Sequence, residues 1–161
     1  MQKTTFIFTG GTIDSYYDAD KCTPVPHPES IIPSYIEQRL FLDPDIRLEY
    51  IQLCSKDSRD ISDIDRDGIV QILEKSQSSR FIITHGTYTL FETARFIQKH
   101  LTSADKKIIL TGSMIPLDGY YHSDGHFNLG FALGVIEEVK EGIWVCIKGK
   151  CYSPDDSVEL H

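Results

Sequence analysis

Apolar positions along the chain follow two spacings in turn. Short runs rich in β-branched and aromatic residues occupy positions 4–9, 46–53, 80–84, 107–111 and 142–147, and each predicts a strand. The runs are almost continuously apolar, as strands covered on both faces should be. Between them, apolar residues recur every three or four positions, the period of a helix. Positions 28–40 form the first such stretch; Pro28 suits a first helical turn, and Pro33 predicts a late start or a kink. The second opens at Ser62, a capping residue with Asp65 three positions on, and carries Ile64, Ile69, Ile72 and Leu73 through to Gln77. The third, 89–101, bears Phe91, Ala94, Ile97 and Leu101. The fourth, 127–139, bears Leu129, Leu133 and Ile136, with Gly142 beyond it as a stop.

This alternation implies βαβ crossovers and an α/β fold. The expected architecture is a single three-layer αβα domain over 1–161, with a mostly parallel, flavodoxin- or Rossmann-like sheet. After position 147, the Lys148-Gly149-Lys150 turn predicts a short extra strand or an irregular tail. Residues 112–126, rich in Gly, Tyr, His and Asp, form a long segment outside the pattern, of the kind that is functional or mobile.

Composition narrows the function classes. A chain of 161 residues supports one real core. The net charge of −8 argues against a nucleic-acid partner, which needs a basic face. No apolar run approaches the roughly 18 residues that cross a bilayer, so no membrane role is expected. The opening MQKTTFIFTGG is interrupted by glycine too soon for a signal peptide, and a cytoplasmic location is the expectation. Cys22, Cys54, Cys146 and Cys151 are scattered and read as free thiols of a reducing compartment. They lack C-x-x-C spacing, so no metal is expected.

In open α/β sheets, ligands bind beyond the carboxyl ends of the strands. The segments there are Gly10-Gly11-Thr12, then 55–60 (SKDSRD), then His85-Gly86-Thr87-Tyr88-Thr89, then Gly112-Ser113-Met114. Glycines let backbone N–H groups approach a ligand, and hydroxyls donate, accept or attack. Each segment alone reads equally well as an ordinary turn or cap. Four of them on one sheet edge point to a polar small-molecule site. Thr12, on a sharp Gly-Gly turn, is a candidate nucleophile, and a threonine needs help to lose its proton. Tyr16 and Tyr17 follow it; a tyrosine there would either relay that proton or merely cover the pocket. His85 reads as a packed strand-end residue and a substitute base. His122 and His126 flank a Ser-Asp-Gly turn, which does not suit metal ligation. Neither G-x-G-x-x-G nor G-K-[ST] occurs, so nothing points to a nucleotide.

Together these segments resemble the bacterial-type L-asparaginases. T-G-G-T-I at 9–13 looks like that family's first active-site signature, and I-T-H-G-T-x-T with E-T-A at 83–94 like its second. D-S-R-D-I at 57–61, T-G-S-M-I-P at 111–116 and S-D-G-x-x-N-L at 123–129 match three further segments, in order. The resemblance implies hydrolysis of the side-chain amide of asparagine, or a related small amide, to acid and ammonia, without cofactor. Thr12 would attack the carbonyl, Tyr16 or Tyr17 would assist, and Thr87 would stand opposite. Gly11, Gly86 and Ser113 would line the pocket, and Asp57 and Ser58 would contact the substrate. An assembly of at least two copies is also implied. Two charges depart from the family pattern. Tyr88 replaces an aspartate that binds the substrate's α-ammonium, and Glu159 falls where a catalytic lysine is expected. A second domain present in most members is not part of this sequence. The alternative reading is a catalytically impaired member that binds an amino acid or small amide.

Overall fold

A computed structural model describes residues 3–161. The first strand, β1 (Lys3–Gly10), is buried from its second residue onward. Its side chains alternate between two cores. Phe6 and Phe8 enter one, and Ile7 enters the other.

A hairpin follows, β2 (Ser15–Asp18) paired antiparallel with β3 (Thr23–Pro26). The apolar pattern does not predict it. Next comes a single helical turn, α1 (Ile32–Tyr35), which widens into a π-helical turn over Ile36–Leu40. The helix expected over 28–40 therefore starts at Ile32, and Pro33 lies in its first turn, where a missing N–H costs nothing.

Strand and helix then alternate through β4 (Arg47–Lys56), α2 (Asp63–Lys75), β5 (Arg80–Thr84), α3 (Leu90–His100), β6 (Lys107–Thr111), α4 (Gly125–Val135) and β7 (Gly142–Ile147), and a last strand, β8 (Lys150–Tyr152), follows β7 directly. The capping box expected at Ser62 is present: the Ser62 N–H donates to Asp65 at 2.8 Å, and the Asp65 N–H returns to the serine hydroxyl. The fourth helix begins two residues before the expected start and ends at Val135, so Gly142 opens β7 (φ 129°) and does not stop the helix.

The sheet order is β4-β1-β5-β6-β7-β8. The first five strands are parallel and β8 is antiparallel. α2 and α3 cover one face, around Ile69, Leu73, Leu90 and Ile97; α1 and α4 cover the other, around Ile32, Ile36, Leu129 and Ala132. For the parallel strands this is the flavodoxin-like order, and strand succession reverses between β1 and β5, where such sheets open a crevice.

Candidate active site

The crevice between β1 and β5 is where the two threonine turns lie. Gly11 has φ 79°, a conformation that side-chain-bearing residues avoid. A Cβ on Gly11 would collide with the Gly86 backbone, and one on Gly86 would stand 2.6 Å from the Ser58 Cβ. Only glycine at both positions lets the turns after β1, β4 and β5 close on one another. The Gly11 N–H also donates to the Lys56 carbonyl at 2.9 Å. Gly11, Ser58 and Gly86 are thus brought together, with Thr12 and Thr87 each one residue further on.

Thr12 opens a short 3₁₀ turn ending at Asp14. Asp14 is 2% exposed, and its carboxylate accepts the Ile31 N–H at 2.9 Å, which fixes the approach to α1. Burial pushes its pKa up, opposed by hydrogen bonds from Ser30 and Ile31 and by the nearby His27. Tyr16 lies on β2 with its ring 5.1 Å from that of His27, while Tyr17 is more exposed.

Asp57 is occupied. Arg59 donates to both of its oxygens at 2.9 Å and holds its carboxyl below the usual carboxylate range. The same guanidinium stands 5.2 Å from the centre of the Tyr88 ring, and the His161 ring stacks on Tyr88 at 4.4 Å. Tyr88 is therefore an exposed aromatic plate held by a cation and an imidazole.

Thr87, 8% exposed, is 3.6 Å from the Met114 sulfur. With Tyr88 and Glu159 it lines a cleft of about 370 Å³, roofed by residues 156–161. That tail is anchored: Leu160 is buried in the core, and Lys148 Nζ donates to its carbonyl at 2.9 Å. Thr12 does not line this cleft. A larger groove of about 640 Å³, between residues 31–39 and 117–121, contains none of the expected site residues.

His85 is fully buried and cannot serve as a free base. Its Nδ1–H donates to the Gly86 carbonyl at 2.7 Å, which fixes the tautomer. Its Nε2 then accepts the Thr93 hydroxyl at 2.9 Å, and the Thr93 oxygen accepts from Arg66 Nε at 3.1 Å. Burial pushes the imidazole pKa down to about 4. The chain Arg66–Thr93–His85 ends on the peptide before Thr87. Carbonyl and following N–H point opposite ways in a trans peptide, so holding the Gly86 carbonyl also fixes the direction of the Thr87 N–H.

The segment 112–126 is fastened at its two ends. Asp124 accepts the N–H groups of Met114 and Ile115 at 3.0 Å each, and Asn128 donates to the Gly112 carbonyl at 2.8 Å. Ser113 is fully buried, with its hydroxyl turned to the Ile115 carbonyl. Among the described residues, no group of three or more His, Cys, Asp or Glu side chains gathers as a metal site would require.

The family model described as "Asparaginase, N-terminal" matches residues 3–161. The chain belongs to the asparaginase family. Solved asparaginase structures share its fold. The thermostable L-asparaginase from Thermococcus kodakarensis is 25% identical, with TM-score 0.81 over 95% of this chain and 46% of that one. A probable cytoplasmic L-asparaginase from Campylobacter jejuni is 25% identical, with TM-score 0.81 over 100% of this chain and 50% of that one. L-asparaginase I from Vibrio cholerae is 25% identical, with TM-score 0.82 over 100% and 49%. The chain thus spans about half the length of these asparaginases. No curated protein matches it. No helix among the described residues is long and apolar enough to cross a membrane.

Proposed function

We propose that this chain is an amidohydrolase domain that releases ammonia from L-asparagine or a related small amide, with Thr12 as nucleophile. The observation that carries the reading is the packing of Gly11 on Gly86, which sets the Thr12 and Thr87 turns side by side at the strand reversal. The Thr12 oxygen attacks the amide carbonyl, ammonia leaves with the threonine proton, and water cleaves the resulting ester. Tyr16 or Tyr17 assists the proton transfer. Ser58, with Gly11, Gly86 and Ser113, frames the substrate, and no metal or organic cofactor takes part. A cytoplasmic location, one domain over 1–161 and assembly of at least two copies belong to the same proposal.

One feature favours the second reading, an impaired member that binds its ligand without turnover. The surroundings of Thr87 hold a neutral Tyr88 and the carboxylate of Glu159, and Asp57 is already paired with Arg59. The test is ammonia release from asparagine, glutamine and simple amides, beside thermal shift with the same compounds. The hydrolase predicts release that Thr12→Ala lowers at least 100-fold. Thermal stabilisation without release would replace the hydrolase with the binding module.

A further inference from the structure

Cys146 and Cys151, five residues apart and unremarkable in the sequence, become partners in the fold. β7 and β8 pair antiparallel with Cys146 opposite Cys151. The turn between the strands has two residues, Lys148 and Gly149, with φ 54° and 75°. Positive φ at both is what a tight two-residue hairpin requires. Ile147 and Lys150 close this hairpin, and the two cysteines form the next pair out. In antiparallel strands the pair beyond the closing one is not hydrogen-bonded, with Cα atoms ~4.5 Å apart and side chains at their closest. A disulfide accepts Cα separations of ~4.4–6.8 Å, so this one would form without moving the backbone. Both side chains lie on the α1–α4 face, and their sulfurs are 2.8 Å apart. Cys146 is fully buried and Cys151 half-buried. Both are thiols in this structure, as are Cys22 and Cys54.

We propose that Cys146 and Cys151 are a reversible dithiol–disulfide site that takes a low-molecular-weight disulfide or a hydroperoxide as its oxidant. Burial holds the Cys146 thiol protonated, so reaction begins at Cys151. With a disulfide oxidant, the Cys151 thiolate displaces one thiol and forms a mixed disulfide. Cys146 then attacks the Cys151 sulfur, loses its proton and expels the second thiol. Two protein thiols are oxidised and one external disulfide is reduced to two thiols. With hydrogen peroxide, Cys151 becomes a sulfenic acid with loss of one water, and attack by Cys146 expels another. The ring encloses only residues 147–150, so the cross-link removes little chain entropy and stays open to reduction. Its effect is local. It fixes β8, which leads into the tail beside Thr87, and the hairpin turn already grips that tail through Lys148 and Leu160.

The experiment is independent of any hydrolase activity. The reduced chain is treated with glutathione disulfide and separately with hydrogen peroxide, then denatured and alkylated. Expected are a fall from four alkylatable thiols to two, a mass lower by two hydrogen atoms, a Cys146–Cys151 linked peptide, and recovery with dithiothreitol. Cys22→Ser should still form the bond, and neither Cys151→Ser nor Cys146→Ala should. Four thiols after treatment, linkage through Cys22 or Cys54, or a mixed disulfide at Cys151 that never resolves would each overturn the proposal.

Discussion

His85 shows how one residue's surroundings set its chemistry. In the unfolded chain its imidazole takes up a proton as the pH falls through about 6.5. In the folded chain it does so only near 4. Between those values the unfolded state binds the extra proton, so stability falls as the pH is lowered through this window. The total is about 3 kcal/mol. Urea unfolding at pH 7 and at pH 4.5 measures most of it, and His85→Gln should flatten the dependence across that range. A variant as pH-sensitive as the parent would mean that other groups carry the effect. At this scale the sequence shows identities but not partners. His85 is visible as a strand-end histidine, yet the Thr93 that bonds its Nε2 and the Arg66 behind Thr93 lie 8 and 19 residues away on two helices. Arg59 is likewise visible, while its double engagement with Asp57 and Tyr88 needs the turns after β4 and β5 to meet.

Elements with a strong apolar period are legible in the sequence. The five parallel strands and α2, α3 and α4 all stand where the pattern places them, with ends displaced by a few residues. α2 is the best marked, because Ser62 and Asp65 satisfy each other's backbone N–H groups. Ser62→Ala should cost about 1 kcal/mol in chemical denaturation, the usual worth of a capping side chain. The β2–β3 hairpin is not legible. Its second strand, Thr-Pro-Val-Pro, carries two prolines, which argue against a strand unless it stands at an edge. The two-stranded sheet it forms has nothing but edges. The cysteine pair could have been found by arithmetic: across a two-residue turn at Lys148-Gly149, positions 146 and 151 must face each other.

At the scale of the whole molecule, the topology gathers the site. Reversal of strand succession between β1 and β5 sets the Gly10-Gly11-Thr12 turn beside His85-Gly86-Thr87. The sequence indicates which segments end the strands, and the strand order decides which of them become neighbours. The chain covers 46–50% of the length of the solved asparaginases it matches. Sedimentation velocity at micromolar concentration should give a dimer or larger, and a monomer throughout would remove assembly from the proposal.

The central position of β1 has a consequence for how the protein is made. Both of its neighbours, β4 and β5, come later in the chain, at Arg47–Lys56 and Arg80–Thr84. On a ribosome adding about 5–20 residues per second, the Phe6-Ile7-Phe8 run waits several seconds for its first neighbour and longer for its second. Throughout that wait it is an unpaired apolar strand on a nascent chain. Until β4 is made, the pairing edges of this short apolar segment have no partner from its own sheet.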